Sequence, residues 1–206
     1  LALFDCTLVH VMNVLSPSRE WLDIKQTLCG ALVTNKQKRT LEILCGSMYA
    51  GCDVLCLQEV ATSFLAEIDA SPLGTSHHVV MPAKSAGSRN QNSILLLKKA
   101  TFPAAAATDF VEVTDEVRAA CKGEVADGDL VAVIAADKTG VNFLVASFHG
   151  DTEGLQSIPV LEAVHAAVQA RNVSGDGAVE AKGAAQETKL IFGLDANVYQ
   201  EPPGKK

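Results

Sequence analysis

The chain has 206 residues, nearly half of them hydrophobic (48%), and a formal net charge of −7. That length accommodates one large domain with a substantial core, and the composition excludes a disordered tail. The acidic balance argues against a dedicated duplex-DNA binder, which needs clustered Lys and Arg, and the few aromatic residues (5%) argue against a groove of stacking rings.

In chain order, the first apolar stretch is LALFDCTLVHVMNV, read as a core strand over residues 8–14 that leaves the sheet at Asn13. It opens without an initiator Met, so the natural N-terminus is expected upstream, where a cleaved targeting segment would leave no trace. An amphipathic helix is predicted over 39–50, with Leu41, Leu44, Cys45 and Met48 on one face and Gly51 as its stop. Strands follow at 53–58, 77–81 and 93–97. Two more, at 130–135 and 143–148, flank Asp137-Lys138-Thr139-Gly140, a turn that predicts an antiparallel hairpin. A second helix is predicted over 158–170, capped by Ser157, with Leu161, Val164, His165 and Val168 on its apolar face. Residues 172–188, rich in Gly and Ala, read as a mobile surface loop, and a last strand is expected at 190–194.

The six cysteines contain no CxxC pair and sit among Leu, Val and Ile, which favours reduced thiols in an intracellular, reducing compartment over a disulfide or zinc framework. No uncharged apolar run is long enough to span a membrane. No GxSxG elbow, P-loop or strand-linked GxGxxG is present. Four apolar segments end in polar residues where the chain leaves a sheet, the place where α/β architectures build sites: Asn13, Glu59 after AspValLeuCysLeuGln, His149 with Asp151 after PheLeuValAlaSerPhe, and Asp195 with Asn197 in GlyLeuAspAlaAsn. Singly, each is more often a strand end, cap or turn residue than a catalytic one. His10, His77, His78 and His165 are read as structural, the last because it shares the apolar face of its helix.

The order of these segments resembles the endonuclease/exonuclease/phosphatase superfamily over nearly the whole chain. Its most specific pieces are the amphipathic helix followed by AspValLeuCysLeuGlnGlu (53–59) and the Asp-x-Asn of 195–197, the latter with Leu194 between Gly and Asp where the family has none. The resemblance implies a four-layer α/β sandwich of two sheets and a Mg²⁺-dependent phosphoesterase, with Mn²⁺ as an alternative ion. It implies that Glu59 is the main Mg²⁺ ligand with Asn13 beside it. Asp195 would deprotonate the attacking water, Asn197 would hold a phosphate oxygen, and His149 would donate to the phosphate, oriented by Asp151. Arg89, Asn90 and Asn92 stand where relatives turn toward substrate, and a polar loop leading into a strand explains them as well. The family's closing Ser-Asp-His is not in the sequence. The chain is therefore read as one C-terminally incomplete domain, completed by its own further segment or by a protein partner, or as a degenerate member acting as a structural or binding subunit. The substrate class is not legible, because nucleases, deadenylases, inositol-phosphate phosphatases and sphingomyelinases share this site.

Overall fold

The computed structural model describes residues 2–15, 23–27, 30, 35–87, 90–173 and 187–198. Two sheets stack face to face. Strands β1 (Val54–Val60), β2 (His77–Val80) and β3 (Asn92–Lys98) form an antiparallel sheet in the order β1-β3-β2. Strands β4 (Val111–Glu112), β5 (Leu130–Ala136), β6 (Asn142–His149) and β7 (Lys189–Asp195) form the second sheet in that order, with β6 and β7 parallel.

Strict alternation along the strands makes four layers from continuous apolar runs. On β3, Leu95 and Leu97 face the second sheet and pack with Val131, Val133 and Val145, while Ile94 and Leu96 face outward onto helices. Those helices are α2 (Lys36–Cys45), α3 (Thr62–Asp69) and α4 (Pro72–Ser76), which contribute Leu44, Phe64, Ile68 and Leu73. The outer face of the second sheet, with Leu130, Ala132, Leu144 and Phe148, is covered by α5 (Thr114–Ala120) and α6 (Ser157–Val173). The result is the helix–sheet–sheet–helix sandwich expected from the sequence.

The β5–β6 hairpin forms as read, from Leu130↔Phe148 to Ala136↔Asn142. Asp137 Oδ1 accepts from the amides of Thr139 and Val141, and Gly140 takes φ of 89°. Cys45, Cys52, Cys56 and Cys121 are free thiols. Among the described residues no helix is long and apolar enough to cross a membrane.

Three expectations need correction. The segment read as a strand at 8–14 lies within a helix, α1 (Ala2–Leu15), so Asn13 occupies a last helical turn rather than a strand end. The run is interrupted by Asp5, Thr7, His10 and Asn13 without a clear period to separate the two states, and fourteen residues suit a helix better than a strand. The apolar face of α6 is Val160, Ala163, Val164, Ala167 and Val168. His165 is exposed beside Gln169 and Leu161 is 45% exposed, because the buried stripe runs one position earlier along the helix than the predicted one. Helix α2 ends at Cys45, and Met48, past that end, is 79% exposed. Of the loop expected over 172–188, residues 174–186 lie outside the described residues. The ends of that segment are joined, since Asn172 Nδ2 donates to Thr188 O and Thr188 N donates to Asn172 Oδ1.

Candidate functional site

Strand β1 departs from regular pairing at its end. Leu57 pairs with Ile94 and Val60 with Asn92, so three steps on β1 match two on β3 and one residue is left over as a β-bulge. Glu59 lies in that bulge with φ of 56°, a left-handed conformation that costs a residue with a Cβ about 1–2 kcal/mol. Its neighbours hold it there. Gln58 Nε2 donates to Ser147 Oγ of β6 at 2.9 Å, and Val60 O accepts from Asn92 Nδ2 at 3.0 Å. Gln58 is thereby turned between the sheets and Glu59 out to the rim, its side chain 48% exposed.

Strands β6 and β7 end at the same rim. His149 and Asp195 are register partners of the parallel pair, which puts their side chains on one face of the sheet. Glu59 Oε1 lies 3.5 Å from His149 Nε2, so the two sheets meet at this point. Asn197, at φ of 47°, turns back toward the same imidazole. Its Nδ2 is 3.2 Å from His149 Nε2 and donates to Gly150 O at 2.7 Å, while its backbone N donates to Asp195 Oδ1 at 3.1 Å. One ring nitrogen therefore faces both a carboxylate and an amide donor. Protonated, it donates to Glu59; unprotonated, it accepts from Asn197. Glu59, Asn90 and Asn197 are the non-glycine residues with positive φ among those described, and strain concentrated in this way is characteristic of functional sites.

A cleft of about 610 Å³ opens here, with Glu59, His149, Asn197, Asp151, Asp129 and Glu124 among its lining. A second groove of about 350 Å³, between α2, β1 and α3, lies on the other side of Glu59 and takes in Lys36, Thr40, Leu57 and Phe64.

The structure thus brings together Glu59, His149, Asp195 and Asn197. Asp151 lines the same cleft, but its Oδ1 accepts from Gln156 N, which ties the loop into α6. Asn92 is buried and its amide is committed to Val60 O and Ala86 N. Asn90 accepts from Thr62 N at the start of α3. Arg89 lies outside the described residues. Sequence reasoning missed the bulge, for which no sequence signal exists, and Glu124 and Asp129. The turn Asp127-Gly128-Asp129 before β5 was a signal for the latter.

Among the described residues no three His, Cys, Asp or Glu side chains group to hold a metal ion. Mg²⁺ and Mn²⁺ ask for one or two carboxylates and room for water. The half-exposed Glu59 carboxylate on an open cleft meets that demand.

No protein-family profile and no curated protein matches the chain. Solved structures do. Truncated TDP2 of Caenorhabditis elegans superposes with a TM-score of 0.54 at 16% identity, over 85% of this chain and 63% of that one. ANGEL2, described as a 2′,3′-cyclic phosphatase, gives 0.48 at 16% identity over 80% and 43%. An endonuclease/exonuclease/phosphatase family protein from Bacteroides thetaiotaomicron gives 0.48 at 13% over 80% and 54%. The chain thus spans less than two thirds of each of these proteins. In the pairing of its sheets, the layering of its helices and its superposition on TDP2, this chain has the fold of the endonuclease/exonuclease/phosphatase superfamily.

Proposed function

We propose that this chain carries the site of a Mg²⁺-dependent phosphoesterase, hydrolysing a phosphodiester or phosphomonoester by attack of water at phosphorus. The observation that carries the reading is the meeting of Glu59, His149 and Asn197 around one imidazole nitrogen, at the rim where β1, β6 and β7 end. Fold alone would not suffice, since one fold hosts many activities.

Glu59 is the residue that would hold the cation. When bound, Mg²⁺ supplies neutralisation of the phosphate's negative charge in the transition state. Asp195, exposed beside His149, accepts the proton of the attacking water while the water oxygen bonds to phosphorus and the bond to the leaving oxygen breaks in line. Asn197 Nδ2 carries two hydrogens. The shorter bond, to Gly150 O, fixes the amide, and the longer contact, to His149, is the one a phosphate oxygen replaces. His149, its Nε2 released from Asn197, would turn the hydrogen on that nitrogen from Glu59 to the phosphate oxygen on which charge builds. Asn13, on α1, enters no step of this scheme.

The test is hydrolysis of a chromogenic phosphodiester and a phosphomonoester, each with Mg²⁺, with Mn²⁺ and with EDTA. Turnover of either ester that EDTA abolishes and Mg²⁺ restores is the expected result. A stably folded chain that turns over neither would move the reading to a binding or structural subunit that keeps the fold.

A further inference from the structure

Behind the site, two adjacent residues of β3 hold both of its halves. Asn92 is 1% exposed and Ser93 is 0% exposed, and neither reaches the cleft. Asn92 Nδ2 donates to Val60 O, the carbonyl of the residue after Glu59, and its Oδ1 accepts from Ala86 N at 2.8 Å. Ser93 Oγ donates to Asp129 O at 2.7 Å, and the same carbonyl accepts from His149 N at 2.9 Å. One dipeptide in the first sheet thus grips the backbone beside Glu59 and, through a single shared carbonyl, the backbone of His149 in the second. The surroundings are built around it. Ser93 N donates to Gly128 O, and Gly128, at φ of 87°, leaves only enough room for Asn92 Oδ1 and Ala86, which a Cβ there would meet at 2.8 and 2.6 Å.

We propose that Asn92 and Ser93 are positioning residues that set the spacing between Glu59 and His149 and hold Glu59 in its left-handed bulge. This rests on Glu59 being the metal-holding residue only for its consequence in metal affinity; the spacing itself is a property of the two sheets. Groups that orient a metal-holding side chain typically change affinity by about 10- to 100-fold when lost. Asn92→Asp is the sharpest probe, because it keeps the shape and the acceptor toward Ala86 N while replacing the donor to Val60 O with a second oxygen.

Two readouts separate positioning from plain destabilisation. Mn²⁺ affinity is measured from the loss of the free-ion electron paramagnetic resonance signal, and the His149 Cε1 proton is followed by NMR without metal, with Glu59→Gln marking the displacement expected when the carboxylate leaves. Asn92→Asp is expected to weaken Mn²⁺ binding by about 10- to 100-fold and to move the His149 resonance as Glu59→Gln does. Ser71→Ala, which removes the N-cap of α4 far from both residues, lowers the melting temperature and changes neither readout. Should Asn92→Asp not fold, Ser93→Ala must move the His149 resonance. A variant of either residue that melts lower yet keeps the wild-type His149 resonance and Mn²⁺ affinity overturns the proposal. Absence of Glu59-dependent Mn²⁺ binding in the wild type, with the resonance still displaced in Asn92→Asp, would refute the metal reading and leave the positioning intact.

Discussion

Gly193 is a point of close approach between the sheets and gives a clear test of how the site is supported. It lies on β7 over Cys56 of β1, where an added Cβ would overlap Cys56 Cβ and stand 2.6 Å from its Sγ. No rotamer change relieves a clash with a Cβ, so Gly193→Ala must push β7 away from β1. Overpacking a close-packed core costs about 1–3 kcal/mol, and an obstacle fixed to the backbone places this case near 3. For a domain of this size each kcal/mol lowers the melting temperature by about 2–4 °C, so a fall of about 6–12 °C is expected, read by far-ultraviolet circular dichroism. Because Asp195 is two residues further along the strand, phosphoesterase activity should fall as well. Cys56→Gly in the Gly193→Ala background removes the obstacle and should recover part of the loss, giving a coupling of at least about 1 kcal/mol between the two positions. A Gly193→Ala protein that melts within about 2 °C of wild type would refute the close approach of β1 and β7.

Two further predictions concern titration. Burial pushes the Cys56 thiol up to about 11, against a hydrogen bond from the Gly193 backbone that lowers it. In the folded protein Cys56 should therefore resist iodoacetamide at pH 8, read by mass spectrometry, while urea-unfolded chain is labelled there; stability should fall as pH rises from the ordinary thiol range toward 11. Glu116 is held below the usual carboxylate range chiefly by its hydrogen bond from Arg171, whose guanidinium approaches at 2.7 Å. Its depressed value means that the pair stabilises the fold above the unfolded carboxyl's pKa and loses that contribution as pH falls through the folded one. As the carboxylate is half exposed, Glu116→Gln should cost under about 1 kcal/mol at pH 7, and the gap in melting temperature should narrow as pH falls below the ordinary glutamate range.

The strands were legible because buried β segments carry their own signature: Val, Ile and Leu runs closed by turn residues, as in Leu130–Ala136 and Asn142–His149. Short helices were not. Thr62–Asp69, Pro72–Ser76 and Thr114–Ala120 are too brief to show a period, although Ser71 before Pro72 and the acids Asp115 and Glu116 mark two of their starts. The helix at Ala2–Leu15 reads as a strand in the sequence because a largely apolar run without a clear period fits either state. At the site, the places of Glu59, His149 and Asp195 where their strands end are readable, since the polar residue after an apolar run marks where the chain leaves the sheet, whereas the same rule misplaces Asn13, which lies in a helix. The geometry among them is not readable. A bulge of one residue at Glu59, and an asparagine that turns back two residues after its strand to meet His149, depend on register between strands far apart in sequence. Asn92 shows the same limit from the other side, because a polar residue leading into a strand reads alike whether it faces substrate or, as here, the backbone of its neighbour.

The measurement that bears most directly on the central claim is Mg²⁺-dependent phosphate-ester turnover by the wild type and Glu59→Gln side by side, with melting curves confirming equal folding. Glutamine keeps the size of the side chain and removes the charge that holds the cation. Mg²⁺-dependent turnover is expected in the wild type, with a loss of at least about 10²- to 10³-fold in the variant. Equal turnover in the two proteins, or turnover that persists in EDTA, would contradict it.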